Sequence, residues 1–245
     1  KYSLCQLGYG ANQKRIQATV TSETSSIGVE LACDKEDTKF LLEQAQVEVP
    51  RGDIIRRESS LEDACKYVGY PLVIKPVDGN HGRGITVNIQ NYDEALVAFR
   101  AAKESSRSTG VIIEKFITGE DYRLLVINNK LVAAAKRTPA HVIGNGKSTV
   151  QELIDEVNKD PRRGYGHENV LTQITVNDLT KTIIKVAGYT LESVIPFGET
   201  LILKDTANLS TGGTAEDVTD IVHPANTSMA ERISKIIDLD ICGID

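Results

Sequence analysis

A chain of 245 residues is long enough for one large domain or two lobes with their own cores. A composition of 40% hydrophobic and 25% charged residues excludes a fibrous or low-complexity chain. With 28 basic against 34 acidic residues the net charge is −6, a field that does not favour nucleic acid.

No apolar stretch approaches the length that spans a bilayer, and Lys1 is not followed by the apolar core of a signal peptide. A cytoplasmic protein without a membrane partner is expected. The start without Met and the end at Asp245 suggest a piece of a longer polypeptide with domains upstream and downstream. Cys5, Cys33, Cys65 and Cys242 show no C-x-x-C pair, and His81, His141, His167 and His223 stand far apart. Neither a zinc cluster nor a redox dithiol is indicated.

In chain order, residues 1–30 are rich in Gly, Ser and Thr and read as linker. Asp34 opens a helix with Leu41, Leu42 and Ala45 on one face. Ser60 with Asp63 opens another, which Gly69 closes. A buried strand over 71–75 leads into a loop with Gly79, Gly82 and Gly84, and strand character resumes at 85–89. Asn91 and Glu94 cap a helix with Tyr92, Leu96 and Phe99 inward. A strand over 111–117 follows, then a hairpin of 121–127 and 130–137 across Asn128 and Asn129, residues that tolerate positive φ. Ser148 and Gln151 begin an amphipathic helix, 159–172 reads as a mobile loop, and a helix near 178–187 precedes a strand near 200–203. Asn226 opens the last helix, with Met229, Ile233 and Ile237 inward, before a strand at 241–245. Strands and helices with both hairpins and crossovers give an α+β or mixed α/β class.

Two segments imitate nucleotide loops. GNGKST at 144–149 ends like a Walker A loop, but His141 stands where its first glycine belongs and Pro139 breaks the preceding strand. A polar turn with Ser148 as helix cap explains it. Gly8-Tyr-Gly10 begins a dinucleotide pattern, but Gln13 takes the third glycine position. The loop DGNHGRG at 78–84 is more informative. Strands flank it on both sides, so its glycines form a flap whose amides can approach anionic oxygens, with Lys75 just before it.

Taken together, CDK…TK at 33–39, YPLVIKP at 70–76, the glycine loop and IEKFITGEDYR at 113–123 resemble the ATP-grasp ligases over about residues 31–137. GID at 243–245 resembles the start of that family's metal-binding strand. A closer likeness, along nearly the whole chain, is to the cyanophycin synthetases, carried by 75–85, 137–149, 162–170 and 208–218.

The resemblance implies an ATP-grasp fold of two lobes with ATP between them. The first lobe is 31–109. The second is 110–245, with an insertion at 139–205 and truncation at the metal-binding strand. It implies ATP and Mg²⁺ as cofactors. Lys39 and Lys75 would face the phosphates, Gly79, Gly82 and Gly84 would cover them, and Glu114, Lys115 and Ile117 would form the adenine segment. Asp121 would hold the ribose and Asp245 would be the first magnesium ligand. Arg123, Arg137 and His81 would serve catalysis, and Arg123, Ser210 and His81 the substrate. The implied activity extends the poly-aspartate backbone of cyanophycin by adding L-aspartate to the primer, in a homo-oligomer. Joining of preformed aspartyl-arginine dipeptides, a D-alanine–D-alanine or glutathione-type ligase, and a non-catalytic nucleotide module are the alternatives.

Overall fold

The computed structural model describes residues 3–78, 84–105, 110–166 and 168–245. Gly79, His81, Gly82 and His167 lie outside the described residues. The chain divides into two units. The first is Lys1–Gly119 with Val126–Lys130 and Ala225–Cys242; the second is Glu120–Leu125 with Leu131–Pro224 and Gly243–Asp245.

The segment expected to be linker holds a three-stranded antiparallel sheet, β1 (Leu4–Leu7), β2 (Lys14–Gln17) and β3 (Val20–Thr21), and then helix α1 (Ser26–Cys33). Its side chains are almost all exposed, so the apolar alternation that announces a strand is missing from the sequence. Helix α2 (Lys35–Gln44) starts as expected, with the Asp34 carboxylate accepting from the amides of Glu36 and Asp37 at 2.8 and 3.1 Å.

Strand β4 (Gly52–Ile55), helix α3 (Leu61–Val68), strands β5 (Leu72–Pro76) and β6 (Thr86–Ile89), helix α4 (Tyr92–Ser105) and strand β7 (Val111–Lys115) follow. They build an antiparallel sheet in the order β4-β7-β5-β6. Leu61, Leu72, Ile74, Ile89, Phe99 and Ile113 form its core. Helix α4 buries Ala95, Ala98, Phe99 and Ala102, whereas Tyr92, expected inward, is exposed. The small alanines let the helix approach the sheet closely, and a stripe chosen by side-chain size misses them.

Strands β8 (Asp121–Ile127) and β9 (Lys130–Thr138) form the expected hairpin, with Asn128 at φ 49° and Asn129 at φ 57°. Strand β10 (His141–Ile143) and helix α5 (Val150–Asn158) follow, then the short strands β11 (Arg163–Gly164) and β12 (Leu171–Thr172). Helix α6 (Asp178–Val186), strands β13 (Thr200–Ile202) and β14 (Thr214–Asp217), helix α7 (Pro224–Ile237) and strand β15 (Ile241–Ile244) complete the chain. One sheet runs β14-β9-β8-β15, and the division between the units falls within β8, β9 and β15. Val142, Ile154, Ile184, Ile195 and Leu203 centre the second unit's core. In α7 the buried side chains are Ala230, Ile233, Ser234 and Ile237, with Met229 only half-buried.

The cap of α5 differs from expectation by one residue. The Thr149 hydroxyl accepts from the Glu152 amide at 3.2 Å while the Glu152 carboxylate takes the Thr149 amide at 2.8 Å, a reciprocal capping box. The Ser148 amide is already used, donating to the Asn145 side chain at 2.8 Å. Thr149→Ala is therefore expected to destabilise by about 1 kcal/mol and Ser148→Ala by less than about 0.5 kcal/mol. Paired thermal melts check the order.

Candidate functional site

In the first unit a cavity of about 520 Å³ is lined by Lys35, Lys39, Gly52, Lys75, Ile112 and Glu114, among others. Glu114, on β7, stands between two lysines. One carboxylate oxygen is 3.3 Å from the Lys39 ammonium on α2 and the other 2.5 Å from that of Lys75 on β5. The three side chains are 14–26% exposed, so the charges are partly desolvated and their attraction is stronger than at an open surface. Lysines 36 residues apart meet because β5 runs beside β7 and α2 brings Lys39 to the same acid.

Two further residues shape this cavity and leave little mark in the sequence. Lys35, one helical turn before Lys39, donates to the Val77 carbonyl at 3.2 Å. Burial lowers its pKa, the Lys75 charge adds to that, and Glu114 and Asp78 oppose it. Its i,i+4 spacing from Lys39 is the one local signal. Gly52 pairs with Glu114 across β4 and β7, and a Cβ there would stand 2.6 Å from the Glu114 side chain and 2.8 Å from Lys39 Nζ. Only a strand without a side chain leaves room for the ion pair.

The rest of the expected nucleotide set is spread out. The Lys115 ammonium donates to the Gly69 carbonyl at 3.1 Å and to that of Tyr70, so it ties the end of α3 to β7. Ile117 is 65% exposed, and Asp121 is exposed at the start of β8. Gly84 is the one flap glycine among the described residues; its φ is +67°.

In the second unit the Asp245 carboxylate bridges two guanidiniums. Arg123 Nη1 on β8 lies 2.6 Å from one oxygen and Arg137 Nη2 on β9 lies 2.8 Å from the other. Arg137 is the less exposed arginine, and its Nε is buried without a hydrogen-bond partner among the described residues. An open buried donor is unfavourable and suits an incoming acceptor. The β8–β9 hairpin aligns the two arginines, and β15, beside β8, brings Asp245 to them.

Asp245 was the expected magnesium ligand. Its carboxylate is committed to two cations, and among the described residues no group of three or more His, Cys, Asp or Glu side chains could hold a metal. Ser210 is exposed in a turn closed at Gly212.

Residues 32–157 match the RimK-like ATP-grasp domain. The chain belongs to the RimK-like ATP-grasp family. It is 56% identical to a cyanophycin synthetase of Nostoc sp. over 243 residues, covering 99% of this chain and 27% of that protein. It is 36% identical to a glutathione biosynthesis bifunctional protein of Clostridium perfringens, over 94% of this chain and 30% of that one. A bifunctional glutathione synthetase structure from Pasteurella multocida matches with a TM-score of 0.68 and 28% identity, covering 98% of this chain and 33% of the other. The chain thus spans about a quarter to a third of the length of these relatives. The mixed sheets and helices are those of the ATP-grasp fold. No helix among the described residues is long and apolar enough to cross a membrane.

Among the described residues, Glu114 is the ion-pair partner of both Lys39 and Lys75. Glu114→Gln is expected to destabilise the protein by about 1–2 kcal/mol, a buried-pair loss discounted for partial exposure. At about 2–4 °C per kcal/mol a melt resolves this, and added tripolyphosphate should restore the lost stability by binding between the lysines. A melting temperature equal to the parent's, with no response to tripolyphosphate, would show that the lysines do not need a shared anion.

Proposed function

We propose that this chain is the ATP-dependent carboxylate–amine ligase portion of a longer protein that extends the poly-aspartate backbone of cyanophycin. The observation that carries this reading is the arginine pair of the second unit. Arg123 and Arg137 grip one carboxylate from both sides, which is the geometry needed to hold the carboxylate end of a polymer. The likeness to the cyanophycin synthetase of Nostoc sp. along almost all of the chain supports the choice of polymer.

The reaction proceeds in two displacements. A carboxylate oxygen of the primer attacks the γ-phosphorus of ATP, the bond to the β–γ bridging oxygen breaks, and ADP leaves. The amine of L-aspartate then attacks the acyl carbon of the acyl-phosphate, inorganic phosphate departs, and the amine loses a proton. Lys39 and Lys75 supply positive charge to the phosphates, which compete with Glu114 for them. Arg123 and Arg137 exchange Asp245 for the substrate carboxylate and then the acyl-phosphate. Alignment and charge neutralisation are the protein's contribution.

The remaining assignments belong to the same reading. Gly79, Gly82 and Gly84 cover the phosphates and keep water from the acyl-phosphate. Lys115 and Ile117 support the adenine, Asp121 the ribose, Ser210 the polymer end, and His81 the amine. Asp245 would hold magnesium, which would neutralise charge on the phosphates, while its arginines turn to substrate.

The test is ADP release by the full-length protein with cyanophycin primer, L-aspartate, aspartyl-arginine dipeptide and D-alanine offered separately and in pairs. Release that needs primer and L-aspartate together supports the proposal. Release with primer and dipeptide instead makes the chain a dipeptide ligase, release with D-alanine alone overturns the polymer reading, and ATP binding without turnover marks a nucleotide module.

A further inference from the structure

The segment 159–172, expected to be a mobile loop, is held together by its own backbone. Strands β11 and β12 pair in parallel, the Leu171 amide donates to the Arg162 carbonyl at 2.9 Å, and the Gln173 amide donates to that of Gly164 at 3.0 Å. The loop also sends a buried charge away from itself. Arg163 is 8% exposed, and its Nη1 donates both to the Thr172 carbonyl at 2.7 Å and to the Gly212 carbonyl at 2.9 Å. Burial pushes its pKa down, with Asp160 pulling the other way. A guanidinium buried against neutral carbonyls is a costly way to fill space, since an apolar side chain of similar size would pack there without desolvation. What a charge adds is a directed link between two separate segments.

The second segment is the turn 208–213. The Asn208 carbonyl closes it, accepting from the amides of Thr211 at 3.1 Å and Gly213 at 3.0 Å and from the Thr211 hydroxyl at 3.0 Å. Gly212 has φ +96°, and a Cβ there would stand 2.7 Å from the Ile174 side chain. A Cβ on Gly213 would stand 2.7 Å from the Thr138 carbonyl, and the register pairs Thr214 with Thr138 and Ala215 with Arg137. The turn is thus pressed onto the end of β9, the strand that carries Arg137, while Ser210 at its tip stays exposed.

We propose that Arg163 is a positioning residue for substrate: its guanidinium clasps the Gly212 carbonyl and so sets where Ser210 stands beside the end of β9. This rests on the proposed role of Ser210 at the polymer end. Arg163 touches no substrate and acts through the turn alone. Its loss should leave the lysine cavity of the first unit untouched.

The test compares Arg163→Met, Arg163→Lys, Ser210→Ala and the Arg163→Met/Ser210→Ala pair in the full-length protein, with ATP, L-aspartate and cyanophycin primer. Arg163→Met is expected to raise the KM for primer about tenfold, the scale of one charged hydrogen bond, with the KM for ATP unchanged. Arg163→Lys, which keeps a charged donor, should recover part of the loss, and it serves as the readout if the Met variant fails to fold. The pair should be no worse than Ser210→Ala alone, because both changes act on one contact. Unchanged primer KM in the folded Arg163 variants overturns the clasp, as do equal rises in both KM values or, where Ser210→Ala itself raises the primer KM, effects that multiply in the pair. If Ser210→Ala is silent while Arg163→Met still raises the primer KM selectively, the role of Ser210 falls and the clasp on the turn stands.

Discussion

Replacing Lys75 by alanine is expected to lower ADP release by about 10²–10³-fold, the scale of removing one fixed charge from a developing oxyanion. Lys75 is placed for this by β5, which runs beside β7 so that its ammonium and that of Lys39 share Glu114. The alanine variant keeps the strand, whose neighbours Leu72 and Ile74 carry the packing. Its melting temperature should therefore move by a few degrees at most, because a partly exposed ion pair contributes little to folding. ADP formation at the parental rate in a folded Lys75→Ala protein would remove the phosphate role. Lys39→Ala should give the smaller loss, since its contact with Glu114 is the longer of the two.

Arg137→Ala is expected to reduce turnover with primer by about 10²-fold, with ATP affinity preserved. Arg137 is the less exposed member of the pair on Asp245 and carries the buried open Nε, so its removal takes away two potential donors from a desolvated position. Arg123→Ala, at a side chain 46% exposed, should be milder because water replaces part of what is lost. Lysine at 137 should not rescue, since a point charge cannot reproduce the planar fork. The measurement is kcat and KM for primer and for ATP in each variant. A fall in ATP affinity with unchanged primer kinetics would place Arg137 on the nucleotide side instead.

The elements with strong periodicity or caps are legible in the amino-acid sequence. Asp34 at the start of α2, the buried face of α3 and the β8–β9 hairpin at Asn128 and Asn129 all follow from local chemistry, and the structure agrees with each. The segment 144–149 is the expected polar turn, with Asn145 accepting from the amides of Lys147 and Ser148 at 3.0 and 2.8 Å, but Thr149 rather than Ser148 caps the helix. The failures have a common cause. The sheet of β1–β3 has exposed faces, α4 packs through alanines, and Arg163 is buried by segments distant in sequence; none of these leaves a local pattern.

The sequence by itself determined the family and supplied the residue types of the candidate site: two lysines, an acid and a glycine-rich loop in one half, two arginines and Asp245 in the other. Those depend on spacing along the chain and on chemistry that a side chain carries wherever it sits. Only the tertiary structure decided who pairs with whom. Glu114, placed in the adenine segment by the resemblance, is the shared counter-ion of Lys39 and Lys75, because β5 runs beside β7 and α2 brings Lys39 to the same carboxylate. Asp245, placed at magnesium by the resemblance, lies between Arg123 and Arg137, because β15 lies alongside β8. Charge pairing is a matter of ångströms across the fold, and no periodicity in the chain encodes it.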